Sequence, residues 1–200
     1  MSQTKNTPLI SIQRSYHETN AQIMKVIEEL SDRHIRWQPN PACHSIAFIL
    51  WHLARWNDHL QATIPGMTIE LARRLPPGQQ IWEKEHFATR WGFEASRLGY
   101  AETGTDADIE ATGEPDWPKK EILLHYARQA FSAAEQAISA IDEGQFVEIE
   151  QQQYADKYIE ETRANSVTVG NAVMEHLVHN IQHLGEIDYL RGLINEAERC

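Results

Sequence analysis

The residues best equipped for chemistry lie near the end of the chain, in VMEHLVHNIQHLGEIDYLRG at 173–192, where His176, His179 and His183 recur. Successive residues of a helix turn by about 100°, so His179 and His183 stand one turn apart and His176 falls about 60° from His179. The same stripe carries Val169, Ala172, Val173, Ile187, Leu190 and Ile194, which puts the histidines on the face that folding should bury. A buried imidazole needs partners for both ring nitrogens, and adjacent imidazoles repel one another when protonated. A metal ion removes both difficulties. An i,i+4 histidine pair alone is a weak signal in a chain with 10 histidines; the apolar stripe around it gives it weight.

At least one further ligand must come from another element. The segment SIAFILWHLARWNDHLQATI, from Ser45, carries His52 and His59 seven residues apart and on nearly the same helical face. Either can sit level with His179 and His183. Asp58 and Glu28 are available carboxylates that no spacing favours. Two ligands from one helix and one from its neighbour make a site with a coordination position left open, the mark of a catalytic rather than a structural ion. Imidazole suits zinc, nickel, copper or iron, and the residues do not choose among them; a divalent ion is the expected cofactor.

Four long amphipathic segments must hold these groups. Thr7-Pro8 reads as a cap and first turn, opening a helix at about 8–31 that RWQPNPAC stops. A second helix, at about 45–64, is apolar nearly all round and so central, with Pro65-Gly66 ending it. A third, at about 118–142, starts at Trp117-Pro118 with Gly144 suited to its C-terminal cap. The fourth, at about 168–196, is capped by Thr168. Residues 66–117 form a long crossover with a short helical piece near 80–91, a candidate lid or a plain surface connection. Residues 145–164 receive no firm assignment. No strand is convincing, so the fold class is all-α: one domain over residues 1–200, a four-helix bundle with a long crossover between helices two and three.

Composition limits the function. With 18 Lys+Arg against 29 Asp+Glu, a net charge of −11, the chain lacks the basic excess that nucleic acid or an anionic membrane surface selects. No apolar run is long enough to span a bilayer, and the first twenty residues hold no signal-peptide core, so a cytoplasmic location is expected. Cys43 and Cys200 form neither a disulfide framework nor a metal spacing. No spacing ties Cys43 to a histidine as a nucleophile pair. Phosphate loops, GxGxxG and HExxH are absent.

Three stretches resemble the DinB-like superfamily, which includes YfiT-type proteins, bacillithiol and mycothiol S-transferases and mycothiol-dependent maleylpyruvate isomerase. RWQPNPACHSIAFILWHLARW is similar to the family's tryptophan-proline loop and ligand-bearing helix. HLVHNIQHLGEIDYLRGL is similar to its C-terminal helix, and KEHFATRWGF to the mid-chain insert of some members. The resemblance implies the same bundle with its crossover, and metal ligands at His52, His179 and His183. It leaves His59 and His176 outside the ligand set, as second-shell or pocket groups beside Glu186. Many members have Arg-Gly-Gln where this chain has Leu184-Gly185-Glu186. The resemblance also implies a homodimer and a small-molecule substrate, with a low-molecular-weight thiol as co-substrate. The expected activity is thiol activation for transfer or isomerisation. Metal-assisted hydrolysis, with His176, His59 or Glu186 as base, and a non-enzymatic, metal-braced binding or stress-response module are the alternatives. Trp56 and Trp82 are the aromatic groups expected to hold an electrophile.

Overall fold

The computed structural model describes residues 7–41, 43–93, 114–147 and 168–199. Within them the chain is all-α. The helices are α1 (Pro8–Glu28), α2 (Asp32–Ile35), α3 (Ile46–Met67), α4 (Ile69–Arg74), α5 (Ile81–Lys84), α6 (Phe87–Arg90), α7 (Lys120–Ser139), α8 (Glu143–Phe146) and α9 (Val169–Ala197). The four long ones form the bundle. α3 packs on α7 and α9, and α1 packs on α9 and α7, so α1 lies diagonal to α3 and α7 diagonal to α9.

Caps fix most helix starts. Thr7, Ser45 and Thr168 each accept a hydrogen bond from the backbone N–H three residues on, satisfying one of the donors a helix start leaves free. The ends depart from expectation for identifiable reasons. α1 stops at Glu28 rather than near 31, because Ser31 caps a new turn at α2 through the His34 N–H. α3 passes through Pro65 to Met67. The missing proline N–H removes one ladder bond a residue or two from the end, while Ile64, Pro65 and Met67 are all buried. α7 begins at Lys120, not at Pro118, whose carbonyl is taken by Arg36; the Asp32 carboxylate accepts the Lys120 N–H at 2.7 Å in place of a local cap. Gly144 does not end α7. It sits inside α8, which Asp142 and Gln145 open with a reciprocal capping box. Of the stretch 145–164, only the end of α8 and Val147 are described; the rest lies outside the described residues.

The crossover is tied to the bundle on both sides. Asp58, fully buried on α3, accepts the backbone N–H groups of Ile81 at 2.7 Å and Trp82 at 2.8 Å, and the Tyr126 hydroxyl at 2.9 Å. Gly78 approaches α3 so closely that a Cβ there would lie 1.7 Å from the Ala62 carbonyl oxygen. On the return, Glu114 accepts the Ser45 N–H and hydroxyl, each at 2.6 Å, and the Trp117 indole N–H at 2.7 Å. The described parts of 66–117 therefore clasp the bundle rather than cover the histidines. The remainder of the expected lid or connection, residues 94–113, lies outside the described residues.

A polar layer crosses the bundle between two apolar clusters. Tyr16 donates to Asn57 Oδ1 at 2.8 Å; Asn57 Nδ2 donates to Leu53 O at 2.8 Å and toward Asn180 Oδ1 at 3.4 Å. Asn180 Nδ2 donates to Asn20 Oδ1 at 3.0 Å, and Asn20 Nδ2 to Glu135 at 3.0 Å. All four long helices contribute. Asn180→Ala would strip the buried Asn20 and Asn57 of a partner each, and an unsatisfied buried amide costs about 1–3 kcal/mol. The expected outcome is a lowered urea midpoint with an unchanged m-value.

Candidate metal centre

His52 belongs to α3, and His179 and His183 to α9. The spacing of His179 and His183 by one turn puts both side chains on the same face of α9, the one turned to α3. Their Nε2 atoms converge: His52 Nε2 lies 3.0 Å from His179 Nε2, and His183 Nε2 lies 3.1 Å from His179 Nε2. The three lie within 4.8 Å of one another, and among the described residues they are the one grouping of three or more His, Cys, Asp or Glu placed to hold a metal ion. At zinc–nitrogen distances of about 2.0–2.1 Å, nitrogens at a tetrahedral angle stand about 3.3 Å apart. The residues present therefore fit a divalent ion. Three imidazole nitrogens converging this closely, with no carboxylate among them, make a donor set suited to a cation.

The surroundings set protonation. Burial, with the charges of His183 and His52, pushes the His179 imidazole down to about 3. His176, one turn before His179, is pushed to about 3 by burial first and then by His59 and His179. Both are neutral at physiological pH, the form that binds metal. Glu186 accepts from His183 Nδ1 at 2.6 Å. That bond places the proton on Nδ1 and leaves Nε2 bare toward its neighbours. The same bond, followed by the charges of His183 and His44, holds the Glu186 carboxyl below the usual range against the opposing effect of burial.

Aromatic rings close the sides. Trp56 packs against His179 and His176, with ring centroids at 4.4 and 5.1 Å. Phe48 stacks on His52 at 5.6 Å and on His44 at 4.0 Å, and His44 Nδ1 stands 4.0 Å from Glu114.

The structure brings together His52, His179, His183, Glu186 and Trp56. It keeps His59 out of the triad: its Nε2 lies 3.4 Å from Thr63 Oγ1, beside His176 instead. Asp58 and Glu28 are elsewhere, Asp58 holding the crossover and Glu28 paired with Arg128 at 2.8 Å. Trp82 is not a wall of the site. It is 2% exposed, in the core against Trp51, Phe87 and Tyr126, because Asp58 anchors its backbone on another face of α3. Cys43 takes a hydrogen bond from Asn40 at 3.1 Å and joins no histidine group. Sequence reasoning missed His44 and Glu114. His44 was legible as a histidine just before the Ser45 cap, whereas nothing local links Glu114 to Ser45, 69 residues away.

A family model described as the DinB superfamily matches residues 15–187. No curated protein matches the chain. A solved structure, the crystal structure of a conserved protein from Enterococcus faecalis, is similar with a TM-score of 0.65 at 15% identity, covering 93% of this chain and 96% of that one. A likeness at that identity speaks for the fold.

The depressed imidazoles carry a pH consequence. Below their ordinary value of 6.5, the unfolded chain takes up protons that His176 and His179 refuse in the folded, metal-free protein until about 3. Stability is then full above pH 6.5 and falls as pH drops through that window. Denaturant unfolding of metal-free protein between pH 7 and pH 4 should show this slope, and His176→Leu should flatten it.

Proposed function

We propose, for a chain that belongs to the DinB superfamily, that His52, His179 and His183 bind one divalent metal ion and that the protein uses it to activate a low-molecular-weight thiol toward a small electrophile. The observation that carries this reading is the convergence of three imidazole nitrogens from two helices with no carboxylate among them. Zinc and nickel are the proposed ions, since both accept imidazole and thiolate. A divalent ion held by neutral ligands keeps its full charge and so lowers the pKa of a thiol brought to it.

The chain's own residues do the rest. Glu186 fixes the His183 tautomer. Burial holds His179 deprotonated and so ready to coordinate. Trp56 and Phe48 keep bulk water off the ring faces, which strengthens electrostatic attraction inside the site. The second reading, hydrolysis by activated water, is favoured by one feature: Glu186 is a carboxylate beside the triad with its side chain 55% exposed, a candidate proton acceptor. Homodimer formation is supported by the outer face of α9, where Met174, Val178, Ile181 and Tyr189 stand exposed. Among the described residues no helix is long and apolar enough to cross a membrane.

Elemental analysis should find about one divalent ion per chain. Alanine at His52, His179 or His183 should abolish it, His59→Ala and His176→Ala should retain it, and Glu186→Gln should weaken binding about 10–100-fold. With cobalt in the site, the right thiol near pH 7 should produce a sulfur-to-metal charge-transfer band that His183→Ala abolishes. Metal-dependent ester or amide hydrolysis with no thiol response would replace this reading by the hydrolytic one. The dimer has its own check: Ile181→Glu should move the mass measured by light scattering from two chains to one.

A further inference from the structure

We propose that the groove between α3 and α9 continues past the three histidines into a second slot, formed by His176, His59 and Trp56, which receives a carbonyl oxygen of the substrate, from a carboxylate or an amide. This rests on the reading of the triad as the metal site and names what the far end of the ligand must be.

The two helices run in opposite directions past each other. His52 meets His179, Trp56 touches both His179 and His176, and His59 lies close enough to His176 to act on its charge. Partial exposure follows the same lane, through His183 and His179 on α9 and Trp56, His59 and Thr63 on α3. The triad and the His176–His59 pair thus follow one another along the α3–α9 seam, with the Trp56 ring between them. Seven residues separate His183 from His176, about 10 Å of helix rise, so a molecule reaching both is elongated.

His176 is the unexplained member. It is 8% exposed, and its Nδ1 is sealed with no hydrogen-bond partner. A leucine or phenylalanine would fill this space without leaving a desolvated nitrogen, so a purely structural role accounts poorly for an imidazole here. Any partner His176 takes must come to Nε2. Sealed donors are tolerated less well than sealed acceptors, so the neutral ring carries its proton on Nε2 and offers a donor. A donor without a protein acceptor, next to an indole face, selects a ligand with an apolar stretch and a terminal oxygen acceptor. The slot supplies orientation and selectivity; the chemistry stays at the triad.

The test uses full-length, cobalt-loaded protein and a ladder of thiols: mercaptoacetate, mercaptopropionate and mercaptobutyrate, the corresponding amides, and methyl-terminated alkanethiols of equal length. Affinities are read from the cobalt spectrum. At one chain length the acid or the amide should bind about tenfold tighter than the alkanethiol, and which of the two wins identifies the carbonyl source. His176→Phe should erase that preference while cobalt stoichiometry and alkanethiol affinity stay unchanged, and His59→Gln should reduce it. Equal affinities for oxygen-bearing and methyl-terminated thiols at every length would overturn the slot, as would a preference that survives His176→Phe. If that variant misfolds, His176→Leu is read in the same way. Silence of the cobalt spectrum toward every thiol sinks the thiol reading alone. The slot is then decided by calorimetry with phenylacetate and phenylacetamide: binding that His176→Phe removes supports it, and no binding, or binding the variant retains, overturns it.

Discussion

The contact between Asn57 and Asn180 sets the register on which the site depends. Asn57 lies between His52 and His59 on α3, and Asn180 lies between His179 and His183 on α9. The direct contact is long, at 3.4 Å, but each amide is pinned independently, Asn57 by Tyr16 and the Leu53 carbonyl and Asn180 by Asn20. All three asparagines are essentially inaccessible to solvent. Apolar helix faces tolerate sliding because one methyl packs much like the next, whereas a buried amide has few acceptable partners. Shifting α9 by one turn would unmake this layer and carry His179 and His183 past His52. The polar layer thus converts an approximate helix packing into the near-ångström placement that three metal ligands demand.

α3 carries constraints on three of its faces. One face carries His52 and Trp56 toward α9. A second carries Asn57 into the polar layer. A third carries Arg55 and Asp58, which engage Tyr126 on α7 and the first turn of α5. Arg55 is wholly buried with its guanidinium 4.9 Å from the Trp82 ring centroid, and its Nη1 is 3.7 Å from the Asp58 carboxylate. A buried charge pair contributes little net stability, but it penalises any arrangement that separates the partners. The crossover is therefore held to α3 by groups that cannot exchange partners without exposing a charge to the core.

The bundle was legible because its signals are local and periodic. Thr7, Ser45 and Thr168 announce their helices, and the stripe Val169, Ala172, Val173, Ile187, Leu190, Ile194 is buried throughout. The histidine face was legible for the same reason. Spacing alone could not decide between His52 and His59, since seven residues return a side chain to nearly the same angle; the family resemblance chose His52, and the relative height of α3 and α9 brings His52 to the triad. What stayed hidden was non-local. Asp58 looked like an available carboxylate because nothing nearby reveals that the Ile81 and Trp82 backbone will arrive at it. Trp82 looked like a pocket wall for the same reason. Pro65 and Gly144 misled as breakers, since tertiary burial and the Asp142–Gln145 box outweigh a single-residue preference.

The electrostatics of the site follow from where the histidines were placed. An exposed imidazole is half protonated near pH 6.5, and a metal must then displace a proton to bind. Burial moves that competition at His179 down to about 3, so at neutral and mildly acidic pH this ligand is already in its binding form. The same burial denies a proton to His176. Several adjacent imidazoles can therefore share one interior without mutual repulsion. In the metal-free protein the Nε2 atoms stand at hydrogen-bonding distance, and a cation placed among them would take over the role of the shared protons. Glu186 adds the complementary element at the rim. This chain carries there a carboxylate bonded to His183, which makes that imidazole a stronger donor and places negative charge one bond away from the three histidines rather than among them. A cation held by the three imidazoles would have only neutral ligands in contact with it and would keep its charge.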